Sequence, residues 1–145
     1  MSPNPVFDAQ LLGQTEKACN AILDRLLTGS GLTEPRWIAL RLTVMSGDAI
    51  DRHELVNRVA GALKVGEGKS QALVQELAAS GLLHAEGDGT VELSDAGREL
   101  HEGIRGATSK ATERLWGDLP ADDLAVAGRV LSTVLDRANT ELAGG

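Results

Sequence analysis

Aromatic side chains are almost missing from this sequence: two tryptophans, one phenylalanine and no tyrosine make up 2% of its 145 residues. The core must therefore come from Leu, Val and Ala, which suits helix packing, and the stacking platforms that bind single-stranded nucleic acid are lacking. Cysteine occurs once, at Cys19, which excludes an intramolecular disulfide framework and a Cys-rich zinc site. His53, His84 and His101 lack the i,i+4 or Cys-paired spacing of a metal site, so no metal or other cofactor is expected. No run of about 18 apolar residues exists, and no membrane span is expected. Met1 to Pro5 is short and polar with no long apolar stretch behind it, which does not read as a signal peptide. These absences predict a protein of the reducing cytoplasm.

Positive charge is also short, with 14 Lys and Arg against 21 Asp and Glu, a net charge of −7 and a pI near 4.9. Cations neutralising phosphates supply most nucleic-acid affinity, so the overall balance disfavours such binding, although one local basic stripe would suffice. No nucleophile–base pair is apparent. Asp122-Asp123 reads as helix N-terminal charge, and Lys69-Ser70 stands at the wrong spacing from Gly66 and Gly68 for a phosphate loop. An enzyme is not expected.

What remains is periodicity. Leu11, Thr15, Ala18, Cys19, Ile22 and Leu26 lie on one face of a helix over about Phe7–Leu27, closed by Thr28-Gly29-Ser30-Gly31. Thr33-Glu34-Pro35 opens a second helix that reaches Ser46-Gly47-Asp48. Asp51 caps a third, and Gly66 and Gly68 separate it from a fourth over about Lys69–Ala79, closed by Ser80-Gly81. The period then changes: Leu82–Ala85 and Thr90–Leu93 flank Glu86-Gly87-Asp88-Gly89 as a β-hairpin. Ser94-Asp95 begins another helix, Asp118-Leu119-Pro120 breaks it, and Leu124 to Leu142 forms a last helix close to a heptad seam, with Ala143-Gly144-Gly145 fraying.

Two short helices, a turn and a hairpin over Asp51–Leu93 are the order of a helix-turn-helix with a wing, whose second helix enters a major groove. The long first and last helices have apolar stripes that a small lobe cannot cover. Pairing them with a second copy would bury the stripes and space two reading heads for palindromic half-sites. The expected fold is mainly α with a small antiparallel β-hairpin wing. It forms one winged-helix domain over residues 1–145, with a DNA-binding lobe at about 33–93 and dimerisation helices at about 6–28 and 94–142.

The run Leu32-Thr33-Glu34-Pro35-Arg36-Trp37-Ile38-Ala39-Leu40 resembles the second-helix opening of MarR-family regulators. Leu73 to Leu83 is similar to that family's recognition-helix end and entry to the wing, and Val91 to Leu100 resembles its v-x-L-T-x-x-G-r-x-L segment. Leu115 to Leu142 matches its C-terminal dimerisation helix in kind. The resemblance implies a homodimer on pseudo-palindromic double-stranded DNA, released by a small aromatic or anionic ligand or an oxidant. Three departures stand out. Ala72 occupies a place where an arginine is common; the wing tip is short and acidic; and Glu54–Val65 holds about one extra helical turn.

Lys69, Ser70, Gln71 and Gln75 are the expected DNA contacts of the fourth helix, with Arg52, Arg58 and Lys64 as phosphate clamps. Solvated surface is the plain alternative for each. Trp37, with Arg36 or Arg41 pairing an anion, is a candidate ligand pocket, against simple core or interface filling. Cys19 falls on an apolar stripe and is expected to pack, not to sense oxidants. The rival function is a winged-helix protein-interaction module whose acidic wing docks a partner, with strong DNA binding lost.

Overall fold

The computed structural model describes residues 5–144. Met1–Asn4, most of the stretch that bears on a signal peptide, and Gly145 lie outside the described residues. Helices α1 (Ala9–Leu27) and α2 (Glu34–Met45) precede strand β1 (Ala49–Asp51), α3 (Arg52–Leu63) and α4 (Glu67–Ala79). Strands β2 (Leu83–Ala85) and β3 (Thr90–Leu93) follow, then α5 (Asp95–Trp116) and α6 (Ala121–Gly144). The chain divides into two compact units, one running to Thr108 and one from Ser109, with the boundary inside α5.

The helix boundaries have local causes. The Asp8 carboxylate accepts from the Leu11 N–H at 2.8 Å and starts α1. Pro35 fits the first turn of α2, where no N–H is needed. That helix stops at Met45, short of Ser46-Gly47-Asp48, because Gly47 (φ 88°) and Asp48 (φ 72°) turn the chain left-handed. Asp51 caps α3 through its carboxylate, 3.1 Å from the Glu54 nitrogen.

Two sequence expectations change here. A third strand exists: β1 pairs antiparallel with β3 (Ile50 opposite Val91), and β2 pairs with the other edge of β3 (Leu83 opposite Leu93), in the order β1-β3-β2. Three residues between a turn and a helix cap are too few to display alternation. The break between α3 and α4 is also not made by the glycines alone. Lys64 takes the left-handed conformation (φ 57°) as the C-cap of α3, so the chain is helical again by Glu67, and Gly68 lies inside α4.

The core of the first unit is aliphatic: Leu40, Leu55, Val56, Val59, Val74, Leu77 and Val91 are fully buried. Gly97 lies where α5 meets the chain before β2. A Cβ there would press into the Leu82 carbonyl and within 2.9 Å of the Leu93 side chain. Ser94 ties the same corner, its hydroxyl donating to the Gly81 carbonyl at 2.7 Å and accepting from the Gly97 N–H at 3.0 Å. Arg98 then reaches Asp48 at 2.6 Å, joining α5 to the α2–β1 turn.

The second unit is the end of α5, a turn and α6. The Pro120 carbonyl accepts from the Leu124 N–H at 3.1 Å, and Asp122 and Asp123 occupy the first turn of α6, where the helix dipole favours negative charge. The helix continues to Gly144, past Leu142 where the sequence placed its last turn. No described residue of α6 is buried; Leu135 is 56% and Leu142 65% exposed.

Candidate nucleic-acid interface

Helix α4 has two faces. Ser70, Val74 and Leu77 are buried, while Lys69, Gln71, Ala72 and Gln75 are exposed. The expectation that Ser70 contacts DNA is corrected by this placement: it is fully buried, and its hydroxyl donates to the Val56 carbonyl at 2.6 Å. The bond bolts α4 to α3. A serine directly after Lys69 points about 100° around the helix from it, which the 3.6-residue period predicts once the buried face is known.

The remaining polar residues are partly committed. The Gln71 amide donates to the Glu67 carboxylate at 3.4 Å. Arg52 extends from the start of α3 and donates to the Gln75 carbonyl oxygen at 3.2 Å. Arg58 pairs with Glu54 at 2.6 Å and also donates to the Ser46 hydroxyl. Lys64 turns back on its own helix, its ammonium 2.8 Å from the Gly61 carbonyl. Lys69 makes no ion pair among the described residues. Of the four cations expected to contact DNA, Lys69 is therefore the one standing on the exposed face of α4 itself.

The wing turn Glu86–Gly89 is exposed throughout. The Glu86 N–H donates to the Thr90 carbonyl at 2.7 Å and the Thr90 N–H to the Asp88 carboxylate at 3.0 Å. The Thr90 backbone bond, then its hydroxyl, hold the Asp88 carboxyl below its ordinary pKa. At the wing's return the Gly89 carbonyl accepts from the Arg52 N–H at 2.8 Å.

The expected ligand-pocket residues go three ways. Trp37 is buried and stacks on His101, ring centroids 5.1 Å apart and 22° from parallel. Arg36 pairs with Glu76 of α4 at 3.1 Å and donates to the Gly31 carbonyl at 3.3 Å, while Arg41 is exposed. Burial pushes the His101 imidazole below its ordinary pKa; Glu102 and Asp48 oppose this, and Arg105 and Arg41 add to it. A separate groove of about 390 Å³ lies between α2 and the α3–α4 junction. Its apolar lining is Pro35, Leu63, Val65 and Leu73, and Lys69, Glu34 and Glu76 add charged groups. Burial, then the carboxylates of Glu16 and Asp24, raise the Glu34 pKa. Cys19 is a half-buried free thiol on α1.

Sequence reasoning missed β1, the Arg98–Asp48 pair and the contact of Arg52 with Gln75. The first had no periodic signal. The other two join residues 50 and 23 positions apart, and only the folded chain brings such pairs together. No cluster of three or more His, Cys, Asp or Glu is placed for a metal ion, and no helix is long and apolar enough to cross a membrane, both among the described residues.

No protein-family model matches the sequence, and no curated protein matches it either. Solved structures do match the fold. The reduced form of MarR from E. coli superposes with a TM-score of 0.68 at 20% identity, over 91% of this chain and 96% of that one. MepR of S. aureus, solved in complex with DNA, gives 0.75 at 15% identity over 94% and 99%. CouR from Rhodococcus jostii RHA1, bound to p-coumaroyl-CoA, gives 0.72 at 17% over 86% and 88%. The fold is thus a winged helix with flanking helices, like that of these three structures.

Proposed function

We propose that this protein is a MarR-like transcriptional regulator, a homodimer that binds pseudo-palindromic operator DNA through the exposed face of α4. The observation that carries the reading is a winged-helix lobe whose second helix keeps Lys69, Gln71 and Gln75 exposed on a rigid, core-anchored element. An ammonium and two amides are the groups that contact phosphates and base edges in a major groove. The exposed apolar side chains of α1 (Leu11, Leu12) and of α6 (Val130, Leu131, Leu135) support the dimer, since a second copy would bury them. We divide the chain accordingly, with a DNA-binding lobe at about 33–93 and dimerisation helices on either side. The protein would act in the cytoplasm without a cofactor.

A small organic effector belongs to the same reading. Trp37 is committed to the core stack with His101 and Arg36 to Glu76, so the groove beside Lys69 is the better-supported place for one. An anionic ligand there would engage the ammonium that the DNA needs. A second reading, a protein-interaction module, is favoured by one observation: Glu86 and Asp88 at the wing tip, which repel phosphate.

The deciding experiment titrates the protein against duplex DNA from upstream of its own gene, at low and near-physiological salt, beside a scrambled duplex. Specific binding of two chains per duplex at physiological salt is expected, and Lys69→Ala should weaken it several-fold and make the salt dependence shallower by about 1.8 in slope, one phosphate contact being lost from each chain. Binding that is equal for both duplexes and confined to low salt would reject the regulator and leave the protein-interaction reading.

A further inference from the structure

A glutamine in a major groove ordinarily reads adenine with both ends of its amide: the NH₂ donates to N7 and the carbonyl accepts from the N6 amino group. In this chain one lone pair of the Gln75 carbonyl already accepts from the Arg52 guanidinium, 3.2 Å away. Arg52 is itself fixed at its other end. Its main-chain N–H donates to Gly89 at the wing's return, and Asp51 beside it pairs with Thr90 in the β1–β3 ladder. The side chain is half-buried, whereas Gln75 is exposed. Gln75 is thus held by a residue that the wing strands and α3 position together.

We infer that Arg52 is a specificity-determining positioning residue, which fixes Gln75 as a hydrogen-bond donor and turns its preference from adenine to guanine. The inference rests on the DNA-binding reading above. With its oxygen bound to a cation, Gln75 offers its amide N–H groups. The guanidinium beside it has five N–H donors and no acceptor. A base edge facing this pair meets mainly donors, the one acceptor being a Gln75 oxygen already shared with a cation. Guanine presents two adjacent acceptors, N7 and O6, to these donors; adenine's N6 amino group has to share the Gln75 oxygen with the guanidinium and is disfavoured. A phosphate clamp, the role that charge alone assigns to Arg52, would carry no such base preference.

The test selects a binding duplex from a random-sequence pool with the wild-type protein, then measures affinity for every single-base replacement in it. Wild type, Arg52→Ala, Gln75→Ala and the double variant are compared at two salt concentrations. A guanine in each half-site, preferred over adenine by roughly tenfold, is expected. Arg52→Ala should move that position toward adenine and leave the other positions and the salt slope unchanged. Gln75→Ala should abolish the preference, and the double variant should lose no more.

Equal weakening on all duplexes in Arg52→Ala, with a slope shallower by about 1.8 for the two chains, would make Arg52 a phosphate clamp and overturn the inference. A guanine preference that survives Gln75→Ala, an exposed change that leaves the core untouched, would overturn it even if Arg52→Ala did not fold. A wild-type protein that selects no duplex from the pool would reject the DNA-binding reading itself, and this inference with it.

Discussion

On α4, Lys69, Gln71 and Gln75 stand on a helix whose other face is anchored by Ser70, Val74 and Leu77 in the core. On the turn between β2 and β3, Glu86 and Asp88 stand on four exposed residues held by backbone bonds and Thr90. The first surface is polar and core-anchored, with Lys69 as its one cation. The second is a short acidic tip. From Asp51 to Leu93 the sequence holds four Lys and Arg against seven Asp and Glu, so attraction to DNA has to be local. Arg58 is paired with Glu54, Arg52 is bonded to Gln75, and Lys64 turns back on Gly61. Under the DNA-binding proposal, the contrast leaves α4 to supply affinity and specificity together, against a wing whose carboxylates oppose phosphate.

The largest effect should come from inverting the weaker partner. Replacing both tip carboxylates, Glu86→Lys with Asp88→Lys, removes two repulsive charges and offers two ammonium groups to the flanking backbone. Affinity for duplex DNA at low salt should rise by an order of magnitude or more, and the salt slope should steepen by about 3.6 if both lysines of both chains reach phosphates. Both side chains are exposed and the bond lost is that of the Thr90 N–H to the Asp88 carboxylate, so the lobe should stay folded with a looser turn. An unchanged affinity and slope would mean that the tip never approaches the backbone, and the comparison between α4 and the wing would collapse.

Ser70 sharpens the comparison from inside the helix. As a DNA contact, Ser70→Ala would weaken binding and leave stability alone. As the bolt between α4 and Val56, it should do the reverse. The Val56 carbonyl loses its buried serine donor, and the lobe should be destabilised by about 1 kcal/mol in a urea titration. Affinity measured well below the unfolding transition should stay the same. Weaker binding at unchanged stability would return Ser70 to the interface.

The sequence made the helix order, the hairpin and the exposed polar set of α4 legible, because each is written in local periodicity and capping. Thr33-Glu34-Pro35, Asp51 and Ser80-Gly81 all sit at element ends. What local pattern could not carry was the inside face of α4. Lys69-Ser70-Gln71 reads as a polar run, yet the middle residue is fully buried because the helix turns it toward Val56. Nor could it carry partnership at a distance: Arg52 read as a free cation, but the fold spends its guanidinium on Gln75. Charge was legible as a sum and not as an arrangement.

Lys64 tests the junction that positions α4, and its effect should be the smallest. Its φ of 57° is a conformation that costs residues with a Cβ about 1–2 kcal/mol, and glycine is the usual occupant of such a C-cap. Lys64→Gly removes that strain, but it also frees the unfolded chain by roughly 0.5–1 kcal/mol and gives up the ammonium's bond to the Gly61 carbonyl. The net should be a stabilisation of a few tenths of a kcal/mol, read as a small rise in Tm. The same variant asks whether the ammonium leaves Gly61 for a phosphate when DNA arrives. A salt slope shallower by about 1.8 for the two chains would add Lys64 to the interface beside Lys69. An unchanged slope with higher Tm would make Lys64 a turn residue under strain, and α4 would then meet the DNA with Lys69 as its principal cation.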